Sequence, residues 1–86
     1  MTDKPWFLYI IECKDSKLYT GISNDVVKRV AAHNAGKGCR FTMYRHPVKL
    51  LYTEYCGTQS DARRREIEVK KFPKLKKLEL INSKTL

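Results

Sequence analysis

Trp6-Phe7-Leu8-Tyr9-Ile10-Ile11 is an unbroken apolar run, rich in aromatic and β-branched residues, and it reads as a buried β-strand. The polar, turn-prone segment Cys13-Lys14-Asp15-Ser16-Lys17 follows, and Leu18-Tyr19-Thr20-Gly21-Ile22 reads as a second strand. Two such runs joined by a short turn make a β-hairpin. Paired antiparallel, they bring Tyr9 and Tyr19 near each other on one sheet face. Gly21, closing the second strand, leaves room for a bulge or for close approach of another backbone. Tyrosine favours strands for packing reasons alone, so the pair gains meaning only from the residues downstream.

Ser23 or Asn24 is placed to cap a helix that begins at Asp25, whose charge suits the positive helix end. Val26, Val27, Val30 and Ala31 recur at helical spacing, and Gly36 is a natural stop. Residues 37 to 47 form a basic connection in which Lys37, Arg40 and Arg45 are interleaved with Phe41 and Tyr44, closed by Pro47. Val48 to Tyr55 alternates as a third strand, with Leu50 and Tyr52 on one face and Leu51 and Tyr55 on the other. Thr58 or Ser60 caps a second helix that runs to about Lys71 before Pro73 interrupts it. On that helix Ala62, Val69 and Phe72 share one side, Glu66 stands at the edge of the stripe, and Glu68 projects away. A short final helix turns Leu75, Leu78 and Ile81 inward and leaves Lys74, Lys76 and Lys77 wet.

The 86 residues suit one domain spanning 1–86, and neither a repeat nor a linker interrupts them. A chain of this length has a thin core, yet its apolar fraction of 42% is ordinary for a globular protein. Eighteen Lys and Arg against nine Asp and Glu leave a net charge of +9, which favours polyanions because each neutralised phosphate releases counterions. Nucleic acid is therefore the first partner to consider. An anionic membrane suits the sequence less well, since it lacks a basic amphipathic helix with bulky apolar anchors, and no run is long enough to span a bilayer. The opening Met-Thr-Asp-Lys-Pro has neither the charged region nor the apolar stretch of a secretory signal. Cys13, Cys39 and Cys56 are odd in number and scattered, which argues against a disulfide framework and for a reducing, cytoplasmic setting. With only His33 and His46 alongside them, zinc-finger spacing is absent.

Arg29 and His33 stand four apart on the first helix and so stack on one face, where a guanidinium fork and an imidazole make a phosphate clamp. Glu66 is an acid among Arg63, Arg64, Arg65, Lys70 and Lys71. Two readings of it stand: it relieves self-repulsion through weak exposed pairs, or it gives an oxygen to Mg²⁺ or Mn²⁺, with the substrate phosphate completing the site. Phe41 and Tyr44 likewise have two readings, as stacking platforms for exposed bases or as the small core of their own loop.

Taken in order, these residues resemble the GIY-YIG nuclease superfamily, closest to its small stand-alone bacterial members. The likeness runs from Tyr9 to about Lys77 and rests on Leu18-Tyr19-Thr20-Gly21-Ile22, His33-Asn34-Ala35-Gly36-Lys37-Gly38 and Arg64-Arg65-Glu66. The first motif departs from the pattern, reading Leu8-Tyr9-Ile10 in place of Gly-Ile-Tyr. The resemblance implies an α+β fold, a central three-stranded antiparallel sheet flanked by helices, and DNA cleavage at one metal ion. Carried over by position, Tyr9, Tyr19, Arg29 and His33 are catalytic, Gly21 is the second motif's glycine, and Glu66 is the metal ligand. Tyr19 then accepts the attacking water's proton or orients that water, with His33 the competing acceptor. Lys37, Arg40, Phe41, Tyr44, Arg45, Arg63, Arg64, Lys70 and Lys71 are the expected nucleic-acid contacts. DNA is the expected substrate, with RNA and a targeting protein partner as alternatives for a module that binds without efficient turnover.

Overall fold

The apolar run becomes β1 (Trp6–Glu12), the middle strand of an antiparallel sheet in which β2 (Leu18–Ser23) lies on one side and β3 (Lys49–Gly57) on the other. The computed structural model describes residues 4–83. A middle strand is buried on both faces, which is why β1 reads as continuous rather than alternating apolar sequence. Leu8 and Ile10 pack with Tyr52, Val69 and Ile81 on one face, while Tyr9, Ile11, Cys13 and Val48 form the core of the other. Helices α2 (Gln59–Lys70) and α3 (Lys74–Asn82) contribute to the first face, and Val26 and Val30 of α1 (Val26–Asn34) pack against the second. The architecture is the expected α+β arrangement of a three-stranded antiparallel sheet with flanking helices.

The hairpin register decides the site. Tyr9 sits opposite Gly21, and Ile11 sits opposite Tyr19, so both tyrosines share a face by the two-residue period of a strand. The Tyr9 ring lies across Gly21 so closely that a Cβ there would stand 2.5 Å from the phenol oxygen. Gly21 is thus a space-giving residue for Tyr9.

Local capping explains where α1 starts and stops. Asp25 is the N-cap rather than Ser23 or Asn24: its carboxylate accepts from the Lys28 N–H at 3.1 Å, while Ser23 Oγ accepts from the Asp25 N–H at 2.9 Å. At the other end Gly36 has φ +76, and the Gly36 and Lys37 N–H groups return to the carbonyls of His33 and Ala32. This is the paired-bond helix stop that favours a left-handed glycine. Thr58 caps α2, as its position implied, by accepting from the Asp61 N–H at 3.1 Å.

Two side-chain placements differ from expectation. The pairing of β1 with β3 shifts between Ile10 and Ile11, so Tyr52 faces Ile10, Leu50 faces Ile11, and Leu51 is the extra residue of a bulge. Leu51 consequently packs on the Tyr52 side while Leu50 is exposed, the reverse of strict alternation. In α3 the core contact is made by Leu78, Leu80 and Ile81, and Leu75 in the first turn is 77% exposed. A side-chain network stitches β3 to α2: Arg65 grips both carboxylate oxygens of Glu54 at 2.8 and 3.2 Å, and the Tyr52 hydroxyl donates to the same carboxylate at 2.6 Å.

Gly21→Ala is expected to lower unfolding free energy by about 1–3 kcal/mol through overpacking against Tyr9. A fall in the urea midpoint at constant m-value reads this out, and an unchanged midpoint would contradict the packing of Tyr9 over Gly21.

Candidate functional site

Strand β1 and helix α1 meet at a hydrogen bond between Tyr9 Oη and His33 Nε2, 2.9 Å long and buried. The other ring nitrogen of His33, Nδ1, lies 2.7 Å from Thr42 Oγ1 in the connection after α1, and both residues are fully buried. Gly38 of the same connection packs so tightly on the imidazole that a Cβ would overlap the His33 ring. Arg29, one helical turn before His33, donates to the Gly38 carbonyl at 2.8 Å.

Counting donors and acceptors gives this chain a direction. The Thr42 hydroxyl donates to the Cys39 carbonyl at 3.4 Å, so its oxygen accepts from His33 Nδ1, which carries the ring proton. In the neutral ring Nε2 is then unprotonated and accepts from the Tyr9 hydroxyl at 2.9 Å. Both imidazole nitrogens are thereby committed. Burial, helped by repulsion from Arg29, holds the His33 pKa below its ordinary value, so the ring is neutral at pH 7. Burial raises the Tyr9 pKa, with the positive charge of nearby Arg29 working against it.

Tyr19 is the more accessible phenol. Its ring lies 6.5 Å from that of Tyr9 and 5.3 Å from that of His33, centroid to centroid, and Phe41 stacks on it at 5.7 Å. Burial and a hydrogen bond to Cys39 hold its pKa well above the ordinary phenol value, outweighing the pull of Arg29. Tyr19 is therefore a neutral hydroxyl at physiological pH. Burial opposes ionisation of Cys39, yet hydrogen bonds from Thr42, Tyr19 and the Phe41 backbone bring its thiol below the usual value.

Glu66 approaches from α2. Its side chain is only 15% exposed, its charge is felt at the Tyr9 hydroxyl, and Lys70 pairs with it at 3.3 Å while also standing 5.7 Å from the Tyr19 ring centre. Its position at the border of the buried stripe is the one that helical periodicity placed it in. Among the described residues no three His, Cys, Asp or Glu side chains cluster to hold a metal ion. One carboxylate beside neutral phenols fits a hard divalent ion only when a substrate phosphate supplies further oxygens.

The expected nucleic-acid contacts divide into engaged and open groups. Arg45 is held by Asp15 at 3.0 Å and by the Phe41 carbonyl at 2.7 Å, and it lies 4.4 Å from the Phe41 ring centre. Phe41 thus meets Tyr19 and Arg45 and is still 37% exposed. Tyr44, 82% exposed, keeps the stacking option. Arg64 pairs with Asp61 and Lys70 with Glu66, whereas Lys37, Arg40, Arg63 and Lys71 are simply exposed. Sequence reading missed Thr42 and Cys39 as site residues, because nothing in a loop sequence marks which hydroxyl or thiol folds inward. Gly38 lay within a recognised segment, but its role as the floor under His33 emerges only in three dimensions.

Residues 5–79 match the family model described as the GIY-YIG catalytic domain. A UPF0213 protein of Staphylococcus saprophyticus is 47% identical over 76 residues, covering 88% of this chain and 93% of its own. One from Clostridium perfringens is 45% identical over 80 residues, covering 93% and 86%. The solution NMR structure of a UPF0213 protein from Bacillus halodurans superposes with a TM-score of 0.60 at 39% identity, over 92% of this chain and 84% of that one.

The His33 environment predicts a pH-dependent stability. The folded state keeps the ring neutral to lower pH than the unfolded chain does, so below the ordinary value of about 6.5 unfolding takes up a proton. The stabilisation is complete above that value and is lost as pH falls toward the depressed folded pKa. The Tm of the wild type should drop more between pH 7 and pH 5 than that of His33→Gln; equal drops would contradict a buried neutral imidazole.

Proposed function

We propose that this protein, which belongs to the GIY-YIG catalytic domain family, is a metal-dependent DNA endonuclease that hydrolyses phosphodiester bonds with weak or structure-based selectivity. The family domain is of nuclease type. The observation that supports the finer reading is proximity: Tyr9 of β1 bonds His33 of α1, one turn from Arg29, and Lys70, paired with Glu66 on α2, stands 5.7 Å from the Tyr19 ring centre. Tyr19 stands beside Tyr9 on the same sheet face.

Within that arrangement each residue has a distinct task. Arg29 is the fixed cation that meets the charge growing on the phosphoryl oxygens during in-line attack. Tyr19, neutral and accessible, orients the attacking water or the phosphate by hydrogen bonding. Tyr9 and His33 join the sheet face to α1, the helix that carries Arg29; with both ring nitrogens committed, His33 is a positioning residue. Glu66 would hold Mg²⁺ or Mn²⁺ together with substrate oxygens, and the ion supplies Lewis-acid polarisation of the phosphate there.

A second reading is favoured by one specific observation. Glu66 already has Lys70 as an ion partner, and both phenols are held above their ordinary pKa values. A module so arranged binds nucleic acid without efficient turnover, with a protein partner supplying the target.

The two readings separate on a panel of linear, single-stranded and branched DNA with Mg²⁺, Mn²⁺ or EDTA. The endonuclease reading expects metal-dependent cleavage that falls about 10²–10³-fold in Arg29→Ala and is abolished in Glu66→Gln, both folded by circular dichroism. Salt-sensitive binding without cleavage supports the second reading, and cleavage that survives both substitutions contradicts the site.

Tyr19→Phe is expected to lower kcat while Tm changes little, because the ring and its stacking on Phe41 remain. Full activity in that variant would remove Tyr19 from the chemistry.

A further inference from the structure

We infer that the cleft between the β1–β2 turn and the start of α3 is a subsite for the sugar–phosphate backbone of the DNA strand flanking the scissile bond. This rests on the nuclease reading for its substrate, but its residues lie outside the set assigned to catalysis. The cleft has a volume of about 330 Å³ and is lined by Lys17, Leu18, Phe41, Lys74 and Lys77. Phe41 is shared with the site, since its ring stacks on Tyr19, and Leu18 immediately precedes Tyr19 in β2. A strand whose phosphate lies at Tyr19 therefore has this cleft as its next neighbour on the Phe41 side.

The charge pattern identifies what fills it. No acidic side chain lines the cleft, and among the described residues no ion pair involves Lys17, Lys74 or Lys77. Arg45, Arg64 and Lys70, by contrast, are each paired with a carboxylate. Lys74 is fixed by donating from Nζ to the Ser16 carbonyl at 3.0 Å, which ties α3 to the turn across the cleft. Three uncompensated ammonium groups gathered at one depression repel one another, and an anion with several charges relieves them together. Leu18 and Phe41 add an apolar wall of the kind a deoxyribose packs against, with the lysines placed for the phosphates on either side. Cationic rim and apolar wall together match a nucleic-acid backbone better than a lone phosphate.

The test is equilibrium binding of a labelled DNA oligonucleotide, duplex and single-stranded, in EDTA across a salt series, for wild type, Lys17→Gln, Lys77→Gln and Lys76→Gln. Lys76 lies over the Phe72 ring and does not line the cleft, so it controls for loss of a charge. Each cleft substitution should weaken binding about five- to eightfold at 0.1 M salt and make the log–log salt slope shallower by about 0.7–0.9, the loss of one phosphate contact. Lys76→Gln should leave the slope unchanged. Cleft variants that bind like Lys76→Gln while wild-type cleavage persists overturn the subsite and leave the nuclease standing. Lysine-dependent binding by a protein that cleaves nothing keeps the subsite and removes the nuclease. A wild type that binds no DNA overturns both.

Discussion

The hydrogen bond from Tyr9 to His33 joins the central strand to the first helix, and the rest of the site is arranged around it. A buried bond of this kind contributes about 0.5–1.5 kcal/mol net, but leaving one partner unmet costs about 1–3 kcal/mol. It therefore acts less as a source of stability than as a constraint on which side chains fit nearby. Two glycines answer that constraint: Gly21 yields space beneath the phenol, and Gly38 beneath the imidazole. Thr42 then fixes the far side of the ring, so the connection after α1 is ordered by the same histidine that orders Tyr9.

This arrangement distributes roles among groups that a list of polar residues makes look equivalent. His33 is enclosed and doubly bonded, Tyr9 is enclosed and bonded to His33, and Tyr19 retains partial exposure. Arg29 is the one catalytic candidate with a permanent charge of the sign that a phosphoryl transition state needs. Glu66 reaches the same place from the opposite helix and brings Lys70 with it. The site is thus polar but nearly charge-balanced where it is deep, and cationic where it opens.

Much of this was legible in the sequence because it follows from short-range periodicities. The even spacing of Tyr9 and Tyr19 from their hairpin turn put them on one face, the four-residue step placed Arg29 with His33, and the stripe of Ala62 and Val69 put Glu66 at its border. Elements stated as strands and helices formed close to their expected limits. What escaped was non-local. The bulge that sends Leu51 to the Tyr52 side depends on the pairing of β3 with β1, and no local pattern in β3 encodes that slip. Thr42 is buried because a helix seven or more residues earlier presents a histidine to it, and Leu75 is exposed because α3 meets the core only through its later turns. The contacts of Phe41 with Tyr19 and Arg45 likewise join residues far apart in the sequence.

The account turns on the direction of hydrogen bonding through His33, and ¹⁵N NMR of the imidazole at neutral pH reads that direction. The predicted spectrum has a protonated Nδ1 and an unprotonated, hydrogen-bond-accepting Nε2, as Tyr9 donates and Thr42 accepts. A proton on Nε2, or an imidazolium with both nitrogens protonated, would contradict it, because His33 would then donate to Tyr9 and the relay from Tyr9 to the Cys39 carbonyl would not exist.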